Sequence, residues 1–206
     1  MGGGFPIIVL YLLAAAVGYG LGSIPFGLLF TRASGLGDIR NVGSGNIGAT
    51  NVLRTGRKGL AAGTLLLDGG KGAAAVFLMG LGGENLGLVA GFAAIVGHTS
   101  PIWLAFKGGK GVATALGVLL AAAPLIGVLT GITWLAVALV FRYSSLAALL
   151  SLAASPIYMF WLDGPHQTWM ALGIAALVIA RHQENIRRLV KGEEPRIGQK
   201  QDADSA

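Results

Sequence analysis

The sequence has 206 residues, of which 54% are hydrophobic, 34 are glycine and only 12% are charged. A soluble domain carries about 25% charged residues, so this composition, with a mean hydropathy of +0.71, excludes an ordinary soluble globule and indicates an integral membrane protein. Cysteine is absent, which excludes a disulfide scaffold, a thiolate zinc site and a thioester nucleophile, and the net charge of +6 fits basic loops beside membrane spans rather than a nucleic-acid partner.

A membrane-crossing helix needs about 20 apolar residues. The first such run, Phe5 to Phe30, has no basic leader and exceeds a signal core in length, so it reads as a retained span. After a polar loop from Arg32 to Lys58, Gly59 to Leu81 forms the second run, broken only by Asp68 and Lys71. Leu86 to Phe106 is the third, with His98 its one titratable group. Gly111 to Phe141 gives 31 uncharged residues. As one helix it would measure about 46 Å against a hydrocarbon core of about 30 Å. Pro124, after three alanines, is the natural break. Tyr143 to Leu162 and Gly164 to Ala180 complete the set.

Charge placement selects two spans for the long run. Seven crossings put fourteen of the fifteen Lys and Arg on the cytoplasmic side, whereas six would strand Arg142 and the six basic residues of the tail outside. The sequence therefore predicts an all-α integral membrane protein of seven short transmembrane helices, with its N-terminus outside and its C-terminus cytoplasmic. A single domain covers residues 1–198, and 199–206 form a flexible tail. Glycines four apart, at Gly18 and Gly22, Gly87 and Gly91, and Gly127 and Gly131, predict close helix contacts.

Polar residues in such a chain concentrate where function requires them. The first loop reads GDIRNVGSGNIGATNVLRTGRKG from Gly37. Gly43 and Gly45 permit turns whose amides converge on an anion, Ser44, Asn46, Thr50 and Asn51 add short donors, and Arg40, Arg54, Arg57 and Lys58 supply cations. The same composition also suits a plain connection. GGKG occurs twice, at Gly69 to Gly72 and at Gly108 to Gly111. Neither copy is a nucleotide-binding P-loop, because no Ser or Thr follows the Lys. A helix beginning at either would offer its amides to an anion beside Lys71 or Lys110, with Lys107 adding a cation at the second. Asp68 and Lys71 equally suit an i, i+3 ion pair.

The third cluster is RHQENIRRLVKGEEPRIG from Arg181. On a helix His182 and Asn185 share a face, while Arg181, Glu184 and Arg188 share a neighbouring one. His182 suits a base or a phosphate ligand; a juxtamembrane basic helix also suits contact with anionic lipid. His98, in GHTSP, reads as a hydrogen-bonded structural residue. Three His and few carboxylates make no metal cluster, and neither an HxxxxD nor a GxSxG motif is present.

Together GSIPFG from Gly22, GSGNIGATNVLR from Gly43, DGGKG from Asp68, GHTSPIWLAFKGGKGVAT from Gly97 and the cluster from Arg181 resemble the PlsY family of bacterial acyl-phosphate:glycerol-3-phosphate acyltransferases. The resemblance spans nearly the whole chain in family order. It implies acyl transfer from an acyl phosphate to the 1-hydroxyl of sn-glycerol 3-phosphate in phospholipid biosynthesis, at the cytoplasmic face of the bacterial inner membrane. Products are lysophosphatidate and inorganic phosphate, no cofactor or metal is needed, and membrane lipids are the remaining partners. By motif position it implies Ser44, Arg54, Lys107, Lys110, His182 and Asn185 as functional residues. Gly108, Gly109 and Gly111 join the phosphate-binding set, and Asp68, Lys71, His98 and Glu184 are supporting candidates. Proton removal falls to His182 or to a substrate phosphate. A transporter for a phosphorylated solute is the competing class.

Overall fold

A computed structural model describes residues 6–165 and 167–199. Phe5, at the head of the first expected span, and nearly all of the tail expected to be flexible lie outside the described residues. Among these residues the chain is helical, with no strand. The helices are α1 Ile7–Gly22, α2 Phe26–Ala33, α3 Ala49–Leu53, α4 Lys58–Gly80, α5 Glu84–Thr99, α6 Val112–Ala122, α7 Pro124–Phe141, α8 Ser144–Leu162, α9 Thr168–Arg181 and α10 Gln183–Lys191.

The first expected span is interrupted. Pro25 has no amide donor and disfavours a helical Ile24, so the chain breaks over Ser23 to Pro25 before resuming as α2. The carbonyls freed by the break find partners elsewhere: Trp103 Nε1 donates to Ser23 O at 2.9 Å and Lys71 Nζ to Ile24 O at 2.7 Å. The expected break at Pro124 is present, with Pro124 opening α7 at a position whose amide needs no partner. Inside α8, Pro156 cannot donate to Leu152 O; the Ser155 hydroxyl does so instead, at 2.8 Å.

Among the described residues, five segments are long and apolar enough to cross a membrane: Ile7–Ala33, Lys58–Gly80, Glu84–Leu104, Pro124–Phe141 and Ser144–Leu162. Val112–Ala122 and Thr168–Arg181 are shorter apolar helices. The outward surface is greasy, with Leu66 71% exposed, Val140 73% and Trp161 76%. Such a surface suits lipid rather than water.

Inside, helices meet through glycine. A side chain at Gly18 or Gly22 would strike the backbone of Ala90 or Ala94, so α1 lies directly on α5. Likewise a side chain at Gly117 of α6 would strike the Gly69 carbonyl of α4. Gly87 and Gly91 pack on Val76 as a close-contact pair. The third expected pair is only half realised: Gly127 abuts the Leu120 backbone, but Gly131 faces open space, because it falls on the outward side of α7.

Candidate active site

The first loop is built around Asn51. Its Nδ2 donates to the carbonyls of Ile39, Val42 and Asn46 at 3.1, 2.9 and 2.8 Å, and its Oδ1 accepts from Ser44 N at 3.1 Å and Ser44 Oγ at 3.3 Å. With 1% of its surface exposed and both ends of its amide engaged, Asn51 shapes the loop rather than meeting a ligand. Gly43 and Gly45 take left-handed backbone at φ of 56° and 68°, and Ser44 between them is exposed. Asn46 lends its carbonyl to Asn51, and the exposed Thr50 pairs its hydroxyl with Ser144 at 3.2 Å. Asp38 is clasped by Arg40 and Arg32 at 2.6 and 2.8 Å, which hold its carboxyl well below the usual range against the opposing effect of burial.

Arg54 follows α3 and is half-buried. Gly43 leaves it room: a β-carbon there would sit 2.9 Å from both its Cδ and Nη1. Nη1 is buried with no hydrogen-bond partner. Burial, with Arg188 nearby, draws the guanidinium below its ordinary value, and Glu194 opposes this. A guanidinium stays charged regardless, so the unpaired N–H is a donor waiting for an anion.

The two GGKG copies differ completely. The first lies mid-helix in α4, so no helix begins there and no free amides are offered. Its Lys71 is buried, donating to Asp68 Oδ1 at 2.7 Å and bonded to His98 Nδ1 at 2.8 Å. The second copy is the loop entering α6. Gly108 N and Gly109 N donate to the carbonyls of Thr99 and His98 at 3.2 and 3.0 Å, so these amides are engaged within the loop. Gly111, at φ 85°, caps α6. Lys110 is half-buried, and burial, offset in part by Glu194, takes it down to about 8; Lys107 is exposed.

In the tail, His182 sits at the junction of α9 and α10 with 2% exposure. Its Nδ1 lies 2.7 Å from Val178 O. A carbonyl only accepts, so Nδ1 carries the proton and Nε2 keeps its lone pair. Burial, opposed by that bond and reinforced by Lys110, takes the imidazole down to about 4. Asn185 is 4% exposed and gives its Nδ2 to Glu194 Oε1 at 2.6 Å, while its Oδ1 is buried without a partner. Glu184 is exposed on the outer face of α10.

Glu194 is the residue that sequence reasoning missed. Gly192, at φ 72°, turns the chain back after α10, and Glu194 inserts with 8% exposure to meet Arg188 Nε at 2.7 Å. Burial pushes its carboxyl up, but the hydrogen bonds from Asn185 and Arg188 help to outweigh this and hold it below its usual value. A strap secures the turn: Ile197 N donates to Arg142 O at 2.7 Å and Arg142 Nη2 to Ile197 O at 3.0 Å. The signal was a turn glycine followed by acids in a basic tail. Arg54, Lys110 and His182 each feel the charge of Glu194, which brings side chains of the first loop, the second GGKG and the tail near one carboxylate.

These features define a multi-pass membrane protein with a half-buried polar site. The chain belongs to the glycerol-3-phosphate acyltransferase family, whose model matches residues 12–192, and is an acyltransferase. It is 60% identical over 199 residues to the glycerol-3-phosphate acyltransferase of Paramagnetospirillum magneticum, covering 96% of this chain and 99% of that one. It is 57% identical over 190 residues to that of Agrobacterium fabrum, covering 91% and 92%. Among solved structures it resembles PlsY (YgiH), an integral membrane glycerol 3-phosphate acyltransferase. The glycerol 3-phosphate form gives a TM-score of 0.86 at 39% identity, over 91% of this chain and 96% of that one. The lysophosphatidic acid form gives 0.84 at 37%, over 91% and 95%.

Proposed function

We propose that the enzyme transfers a fatty acyl group from an acyl phosphate to the 1-hydroxyl of sn-glycerol 3-phosphate, releasing lysophosphatidate and inorganic phosphate. The observation that carries this reading is Arg54, whose unpartnered Nη1 is held against Gly43 in the recess shared with Lys110, His182 and Glu194. Such a recess suits phosphorylated reactants, and the glycerol 3-phosphate and lysophosphatidic acid forms of PlsY support the choice of acceptor and product.

An acyl phosphate is a mixed anhydride, already activated, so no acyl-enzyme is required. The alcohol oxygen attacks the acyl carbon, the bond from carbon to phosphate oxygen breaks, and the electron pair leaves with phosphate. The hydroxyl proton passes to His182 Nε2 or to a phosphate oxygen. Arg54 and Lys110 neutralise the phosphates, and Ser44 acts as a donor rather than a nucleophile, since no base partners its hydroxyl. One such donor to developing charge contributes about 10²- to 10³-fold in rate.

The basic loops support seven crossings with an external N-terminus, placing the site at the cytoplasmic face of the inner membrane. The test is reconstitution of purified protein with acyl phosphate and glycerol 3-phosphate. Equimolar lysophosphatidate and phosphate are expected, with no ester trapped on Ser44. Solute passage across the bilayer without product would establish a transporter instead.

A further inference from the structure

We infer that Lys71, acting through His98, is a positioning residue that sets the placement of Lys110. This rests on the reading of Lys110 as a phosphate ligand. Asp68, Lys71 and His98 are 2%, 5% and 4% exposed. An i, i+3 ion pair needs only Asp68 and Lys71, yet the ammonium reaches three acceptors: Ile24 O at 2.7 Å, Asp68 Oδ1 at 2.7 Å and His98 Nδ1 at 2.8 Å. An ammonium has three donors, so all are used. Because it only donates, Nδ1 of His98 accepts, and the ring proton sits on Nε2.

That edge of the ring lies against the second GGKG. A side chain at Gly109 would overlap His98 Nε2, so the imidazole fills the space that any larger residue would take. The backbone follows, with Gly109 N donating to His98 O at 3.0 Å and Gly108 N to Thr99 O at 3.2 Å. The orientation that Lys71 imposes on the ring therefore fixes Gly109, and Lys110 is the next residue. The same ammonium grips the carbonyl freed at the break between α1 and α2, so one buried cation ties that break, α4 and α5 to the loop bearing Lys110.

The test is a double-mutant cycle on Lys71→Met and Lys110→Ala, reading affinity for glycerol 3-phosphate by titration calorimetry in detergent, with unfolding temperatures in parallel. Residues coupled through shared structure show non-additive effects. Lys71→Met is expected to weaken affinity about tenfold in the native background and less than about twofold when Lys110 is already Ala. An equal loss in both backgrounds overturns the inference. If Lys71→Met does not fold, His98→Gln and His98→Leu carry the test: Gln keeps an acceptor for Lys71 and stays within about threefold of native affinity, while Leu falls about tenfold. Equal affinities for those two overturn it. Native affinity in Lys110→Ala alone would remove Lys110 from the phosphate site, a failure distinct from that of the Lys71 linkage.

Discussion

Asn185 donates its side-chain amide to Glu194 at 2.6 Å across nine residues of chain, and this bond turns the segment after α10 back onto the helix it has just left. One carboxylate thereby orients two neighbours, because its other oxygen takes Arg188 at 2.7 Å. The orientation of both side chains therefore depends on Glu194.

Replacing Glu194 by Ala leaves Asn185 Nδ2 and Arg188 Nε without these partners. Hydrogen bonds to charged groups contribute about 1.5–3 kcal/mol each, so a loss near 2 kcal/mol is expected after allowing for the exposed part of Arg188. A thermal unfolding series in detergent should show it, with acyl transfer falling more than stability alone explains. Unchanged unfolding would refute the clamp.

For Asn51, an isosteric change is the informative one. Asn51→Asp removes the Nδ2 donors and points a carboxylate at three carbonyls, so it should behave as badly as Asn51→Leu. Both are expected to lower kcat/KM by at least about tenfold. A fully active Asn51→Asp enzyme would show that this scaffold is dispensable.

Burial takes the Lys110 ammonium down to about 8, so in the free enzyme it loses its proton as pH rises through that value. The expected result is a basic limb in kcat/KM for glycerol 3-phosphate near pH 8, displaced upward in kcat because a bound anion favours the charged form. His182, taken down to about 4, stays neutral from pH 5 upward and adds no inflection there. Lys110→Arg keeps its charge and should flatten the basic limb. A limb that persists in that variant belongs to another group.

Glycine placement gives a matched pair. At Gly117 a methyl group would strike the Gly69 carbonyl, so Gly117→Ala should part α4 from α6 and destabilise by about 1–3 kcal/mol. Gly131 meets open space, so Gly131→Ala should be neutral or stabilising by up to about 1 kcal/mol. Reversed outcomes in unfolding measurements would contradict the packing described.

Much of the architecture was written in the apolar runs, because a hydrocarbon core imposes length and composition on anything that crosses it. Pro124 announces its break because the uncharged run around it is too long for one crossing, whereas the run around Pro25 fits a single span, so the same proline rule gives no signal there. The first GGKG looked like the second because glycine spacing is the same in a helix as in a turn; neighbouring contacts decide which it becomes. Which glycines face a partner, as Gly22 does and Gly131 does not, depends on how the bundle closes. Glu194 stayed hidden because its place is set by a turn at Gly192 and by Arg142, fifty-five residues before Ile197.

The strap joining Ile197 to Arg142 also has a meaning for biosynthesis. Glu194 emerges from the ribosome after every apolar helix has been made, so a nascent chain can be fully threaded into lipid and still lack the piece that completes its recess.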